Sequence, residues 1–274
     1  MCLILLAYES HPACRLVLAA NRDEFYARPT RRASFWEDAP GVLGGRDLTH
    51  GGTWIGVTLG GRVAAVTNFR DPARQRADAP SRGRLVSDFL LCTEAPRQYL
   101  ERLADGADSY NGFNLFVGDA RGLYYFSNRD DAGPRELTPG VYGLSNHLLD
   151  TPWPKVERGK QALSEVLKGD EHAPDAEPLF MVLAESERAP DEKLPDTGVG
   201  LELERMLSPL FIRSAEYGTR SSAVVLFERE GRVTFVERSF DTGAGGWEDA
   251  RFQFDVRDNH RGRRSEKQML DVGC

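Results

Sequence analysis

The chain has 274 residues, of which 41% are hydrophobic and 28% charged, an ordinary balance for a folded domain that excludes a fibrous or largely disordered protein. With 42 acidic residues against 35 basic ones, the formal charge is -7, which argues against a broad nucleic-acid surface. Cys2, Cys14, Cys92 and Cys274 are too widely spaced for a disulfide scaffold and form no CxxC pair, so neither a disulfide framework nor a zinc site is expected.

The first apolar run stops at Glu9, before a signal peptide could be completed, and no 18-residue apolar stretch follows. A cytoplasmic protein without an integral membrane segment is therefore expected. No linker forces a boundary, so residues 1–274 are expected to form a single domain. Oligomeric state is left open.

The first element is a buried strand at 2–8, from the unbroken run Leu3 to Tyr8. Its first residue is Cys2. With Met1 removed, Cys2 carries a thiol and a free α-amine, of reference pKa about 8.5 and about 7.7–8. The amine can then act as the base for its own thiol. A cysteine there is equally able to pack as a small hydrophobe. A second strand at 15–20 follows the polar turn Ser10, His11 and Pro12. Antiparallel pairing brings the end of the second strand to the start of the first, placing Asn21, Arg22 and Asp23 of ANRDEFYARP near Cys2. Arg22 can bind a substrate carboxylate or stabilise a thiolate, and Asp23 can orient an α-ammonium. The same residues also suit a simple turn, with Arg22 neutralising Asp23 or Glu24.

His50 stands in Thr49-His50-Gly51-Gly52, where glycines permit close approach by something bulky. Strands at 53–59 and 62–67 are predicted around Gly60-Gly61, both glycines supplying positive φ. Trp54 either lines a cleft or fills core. Asn68 ends the second of these strands, where its amide can donate to a developing oxyanion or form an Asx turn. Helices are predicted at 82–91 and 95–104, then a hairpin at 113–118 and 122–127. Asn146 and His147 close the segment Gly143-Leu144-Ser145-Asn146-His147. Further helices are expected at 154–168, with Pro154 in the first turn, at 175–187 and at 201–207. Arg220 precedes the last hairpin, 223–228 and 232–239, which turns at Glu230-Gly231. The basic stretch from Arg257 to Lys267 lacks interleaved aromatics and reads as a solvated terminal segment. Hairpins, then helices, then hairpins exclude a doubly wound β-α-β order and fit an α+β fold of antiparallel sheets covered by helices.

The segments MCLILLAY, LAANRDEFYARPT, GGRDLTHGGTWIGVTLGGRVAAVTNFRDP, YGLSNHLLDTPWPKV and YGTRSSAVVLF resemble the NRDE family, also called the transport and Golgi organisation protein 2 family, over nearly the whole chain. The resemblance implies a four-layer αββα sandwich of the N-terminal nucleophile hydrolase type, with two antiparallel sheets between helical layers. It is similar to the cysteine branch containing choloylglycine hydrolase and penicillin V acylase, which cleave amides through an acyl-enzyme. Carried over by motif, Cys2 matches the nucleophile, Arg22 and Asp23 its companions, Asn68 the oxyanion asparagine, Asn146 a second stabilising asparagine and Arg220 a late arginine. Arg22 and Asp23 are adjacent here, whereas the acylases separate them.

Two functions follow from this resemblance. The first is hydrolysis of the C–N amide bond of a small N-acyl substrate, with no cofactor required. The second is a non-catalytic carrier or chaperone for haem or an acyl-CoA-like ligand, since eukaryotic members are linked to haem movement, lipid or acyl-CoA handling and secretory-pathway upkeep. In that case Cys2, His50 and His147 are the candidate haem ligands.

Overall fold

Alternate residues of the first strand enter two different hydrophobic layers. Leu3, Leu5 and Ala7 pack with Trp153, Val156, Leu163 and Leu179. Ile4, Leu6 and Tyr8 pack with Leu43, Ile55, Phe116 and Tyr125. A strand covered on both faces has to be apolar throughout, which accounts for the uninterrupted run behind Cys2.

The computed structural model describes residues 2–169, 171–241 and 245–257, with Cys2 described by its backbone. In chain order the strands begin with β1 (Cys2–Tyr8), β2 (Cys14–Phe25), β3 (Thr30–Trp36), β4 (Ala39–Asp47), β5 (Ile55–Thr58) and β6 (Val63–Asn68). Then come β7 (Phe113–Asp119), β8 (Gly122–Ser127), β9 (Arg135–Glu136), β10 (Gly140–Leu144), β11 (Tyr217–Glu228), β12 (Arg232–Phe240) and β13 (Trp247–Asp255). The helices are α1 (Gly83–Leu91), α2 (Pro96–Ala104), α3 (Pro154–Val166), α4 (Ala176–Leu183) and α5 (Leu201–Leu207).

Two antiparallel sheets result, ordered β10-β1-β2-β11-β12-β13 and β3-β4-β5-β6-β7-β8-β9. One core joins the facing sides of the sheets. A second lies between the first sheet and α3 and α4, and a third between the other sheet and α1 and α2. The fold is thus α+β, two antiparallel sheets flanked by helices. No helix among the described residues is long and apolar enough to cross a membrane.

Several expectations are corrected. The second strand continues beyond residue 20 to Phe25, so Asn21, Arg22 and Asp23 form no turn. They stay extended because β1 and β11 pair with them from both sides, with Leu3 opposite Asn21 and Thr219 opposite Asp23. In the β5–β6 hairpin, Gly61 alone of the two glycines has a positive φ, 80°. Gly61 N–H donates to Thr58 O at 2.9 Å and Thr58 N–H to Arg62 O at 2.9 Å, the geometry of a three-residue loop ending in a left-handed glycine. Gly52 is approached closely by backbone: Thr53 N–H donates to Gly83 O, and a Cβ on Gly52 would lie 2.4 Å from the Gly83 carbonyl carbon. The fourth helix ends at Leu183, short of residue 187. Strands β3, β4, β9 and β13 carry no sequence expectation at all. Cys274 and the basic stretch beyond Arg257 lie outside the described residues.

Candidate functional site

The end of β2, the end of β6 and the segment entering α1 border a cleft of ≈ 370 Å³, lined among others by Arg22, Asp23, Arg28, His50, Trp54, Asn68 and Arg82. Cys2 takes the register position opposite Arg22. By strand alternation that position falls on the inter-sheet face shared with Ile4 and Leu6.

Arg22 is held between the sheets, 6% exposed, with its guanidinium 4.2 Å from the centroid of the Trp54 ring. The tryptophan therefore serves the cleft, and its partly buried ring also packs on the inter-sheet core. Glu24 lies 3.9 Å from the same guanidinium.

Asp23, one residue on, belongs to the helix-facing side of the sheet and is 1% exposed. Thr219 Oγ1 donates to its Oδ1 at 2.6 Å. Burial pushes the Asp23 carboxyl above the ordinary carboxylate range, opposed by the charge of Lys155, the Thr219 hydroxyl and Arg22. Asn21 is structural: its amide donates to Leu183 O at 2.8 Å and Leu210 O at 2.9 Å, and its Oδ1 accepts from Ser222 Oγ at 2.6 Å.

Asn68 is half-buried in the cleft wall. Asn146, fully buried at the end of β10, donates its amide to Asn68 O at 2.9 Å and accepts from Arg70 N–H at 2.7 Å. Thr67 Oγ1 donates to Ser145 O at 2.8 Å. These bonds fasten the end of β6 in one sheet to the end of β10 in the other. The next residues are anchored by a buried pair, Arg70 to Glu204 of α5 at 2.6 Å.

The remaining sequence candidates divide. Arg220 sits at a bulge in β11 and donates to the carbonyls of Phe25 (3.4 Å) and Arg28, so it braces the loop after β2 and is not part of the cleft lining. Burial lowers its proton affinity. His50 lines the cleft but is half exposed, its Nδ1 lying 3.0 Å from Arg28 NH2 and 3.5 Å from Asp47 Oδ2. His147 borders a different hollow with Phe69 and Arg70, its ring 4.8 Å from Phe69 and 5.9 Å from Trp153. Desolvation depresses its pKa below the usual 6.5. No group of three His, Cys, Asp or Glu among the described residues is placed to hold a metal ion.

Sequence reading passed over four neighbours of this site. Arg28 grips Asp47 with two bonds, 3.3 Å from Nε and 2.7 Å from NH2. Glu237, 1% exposed, accepts the Ala33 N–H at 2.7 Å; burial raises its pKa against the pull of that bond and of Arg22. Lys155 is 2% exposed and donates to Leu207 O at 2.8 Å. A signal existed for the last two. Lys155 shares the i, i+4, i+8 stripe of Gly159 and Leu163, and Glu237 continues the alternation of Val233 and Phe235.

Among solved structures, the chain is similar to a Caenorhabditis elegans N-acylethanolamine-hydrolyzing acid amidase ortholog, with TM-score 0.46, 11% identity and coverage of 82% of this chain and 92% of that one. It is also similar to a mutant conjugated bile acid hydrolase from Clostridium perfringens, with TM-score 0.42, 10% identity and coverage of 93% of this chain and 97% of that one. Sequence comparison reaches much nearer relatives. The mouse and human Transport and Golgi organization 2 homologs are each 38% identical, over 93% of this chain and 99% of the relative. The Drosophila melanogaster Transport and Golgi organization protein 2 is 30% identical over 87% of this chain and 92% of its own length. The family model for Transport and Golgi organisation 2 matches residues 1–242, which contain β1 to β12, the cleft and every candidate residue described above. The chain belongs to the Transport and Golgi organisation 2 family.

Proposed function

We propose that the protein is a cysteine N-terminal nucleophile hydrolase that cleaves the C–N amide bond of a small N-acyl substrate. The two sheets and their flanking helices are read as one domain, a four-layer αββα sandwich of that type. The observation that carries the proposal is the register of β1 and β2, which sets Cys2 opposite Arg22 beside a cleft that also holds Asp23 and Asn68.

With Met1 removed, the Cys2 α-amine takes the thiol proton and the thiolate attacks the amide carbonyl. Asn68 and a backbone N–H stabilise the oxyanion, a kind of interaction worth roughly 10²–10³ in rate where a single donor has been deleted from a hydrolase. The tetrahedral adduct collapses as the α-ammonium returns its proton to the leaving amine. Water, deprotonated by the same amine, then attacks the thioester, releasing the acid and restoring the thiol. Asp23 orients the amine, and Arg22 stabilises the thiolate or anionic character in the substrate. Asn146 acts through Asn68, and Arg220 through the loop it braces.

The alternative, a haem or acyl-CoA-like carrier, draws less support. His50 is engaged by Arg28 and Asp47, and His147 lines a separate hollow. The cleft wall is rich in charged side chains, whereas a haem pocket is expected to be apolar.

The test is incubation of processed protein with a cysteine-directed acyl probe and a small N-acyl amide library, alongside Cys2→Ser and Cys2→Ala. Acylation at Cys2 followed by turnover, lost in both variants, is the expected result. Turnover that persists in Cys2→Ala, or tight binding with no acyl-enzyme, would overturn the hydrolase reading.

A further inference from the structure

Two buried ionisable side chains lie on the helix-facing side of the first sheet, and the chemistry proposed for Cys2 uses only one of them. Asp23 and Lys155 are 1% and 2% exposed. They bracket one short segment. Lys155, in the first turn of α3, donates to Leu207 O at 2.8 Å. Three residues further on, Leu210 O accepts the Asn21 amide at 2.9 Å. Two residues beyond that, Ile212 N–H donates to Thr219 Oγ1 at 3.0 Å, and the same hydroxyl donates to Asp23 Oδ1 at 2.6 Å. The 207–212 segment thus links the ammonium to the carboxylate.

We infer that Lys155 is a positioning residue, whose buried ammonium keeps Asp23 ionised and fixed behind the first residue of β1. A carboxylate removed from water tends to take up a proton unless a cation compensates it. The other groups bearing on Asp23 are the terminal amine of the chain, the Thr219 hydroxyl from β11 and Arg22 from its own strand. Arg22 sits on the opposite face of the strand and is already stacked on Trp54 beside Glu24. Lys155 is the cation on Asp23's own face. Its charge opposes the burial that raises the Asp23 pKa. The consequence for the α-amine rests on the N-terminal nucleophile reading; the Lys155 to Asp23 coupling does not.

The test is carbon NMR of protein labelled at aspartate side chains, with the Asp23 signal assigned by its loss in Asp23→Asn. Lys155→Met is expected to raise the Asp23 titration midpoint by about 1 unit or more, a tenfold gain in proton affinity, while Lys155→Arg holds it near its original value. Should Lys155→Met melt too readily for titration, thermal denaturation of Asp23→Asn/Lys155→Met serves. That double variant is expected to melt above Lys155→Met, since neither charge is left buried alone. An unmoved midpoint in Lys155→Met, or a double variant melting below it, would overturn the inference. Neither readout involves turnover, so a failure of amide cleavage removes the proposed function and leaves the pair standing.

Discussion

Arg22, Asp23, Lys155 and Glu237 place four ionisable side chains at 6% exposure or less at one end of the molecule. The first two were legible in the sequence because a hairpin brings Asn21 to Asp23 against Cys2. Their division between faces follows from the period of two: Arg22 turns to the other sheet and Trp54, Asp23 to the helices. Lys155 and Glu237 were missed because each looks like an ordinary charged residue until its place on a buried stripe is counted. His147 carries a prediction at this scale. Its folded pKa is depressed by burial, so the unfolded chain binds the proton more readily. Its stabilising contribution is fully present above the unfolded value of about 6.5 and is lost as pH falls through that value toward the lower folded one. Thermal melting of the unaltered protein should therefore drop more steeply between about pH 7 and pH 5 than that of His147→Gln. Parallel curves would contradict this account of the residue.

Among the elements, hairpins with an apolar core strand on each side were readable, and β7–β8 and β12 lie close to where alternation puts them, whereas β11 starts at Tyr217, ahead of the expected 223, and so contains Arg220 rather than following it. Sequence preference ends β2 at residue 20, because Asn and Asp favour turns in isolation. Tertiary pairing from both sides overrides that preference. β3 alternates weakly, with Arg31 and Arg32 both exposed, and β13 opens on the exposed polar residues Glu248 and Asp249 before alternation begins at Ala250. The approach of Gly52 to Gly83 depends on a helix thirty residues away, which no local pattern announces. Gly52→Ala should cost about 1–3 kcal/mol, because its Cβ would meet the Gly83 carbonyl oxygen at 2.6 Å and Arg84 N at 2.8 Å. Gly106→Ala, with nothing within 4 Å of the added carbon, is the control. Urea unfolding that ranks the two variants equally would show that the contact is relieved cheaply.

Over the whole molecule, two sheets share one core, and each has a further core with helices on its outer side. The cleft forms where the sheets end together, and the Asn146 to Asn68 bond spans that end. α5 reaches the same region twice, through Glu204 to Arg70 and through Leu207 O to Lys155. Arg22 and Asp23 are tied to residues distant in sequence, through Trp54 and Thr219, which is the rigidity a pre-organised site requires. The sequence motifs located these residues but could not supply the bonds between them, because those bonds depend on loops crossing from one sheet to the other. Hydrolysis by the proposed route requires that the Cys2 amine become free to act as a base. The most direct measurement is the intact mass and N-terminal sequence of the protein matured in its natural host. Loss of Met1, leaving Cys2 first, is the result expected; a chain that retains Met1 would contradict the account, since an amide nitrogen cannot take the thiol proton.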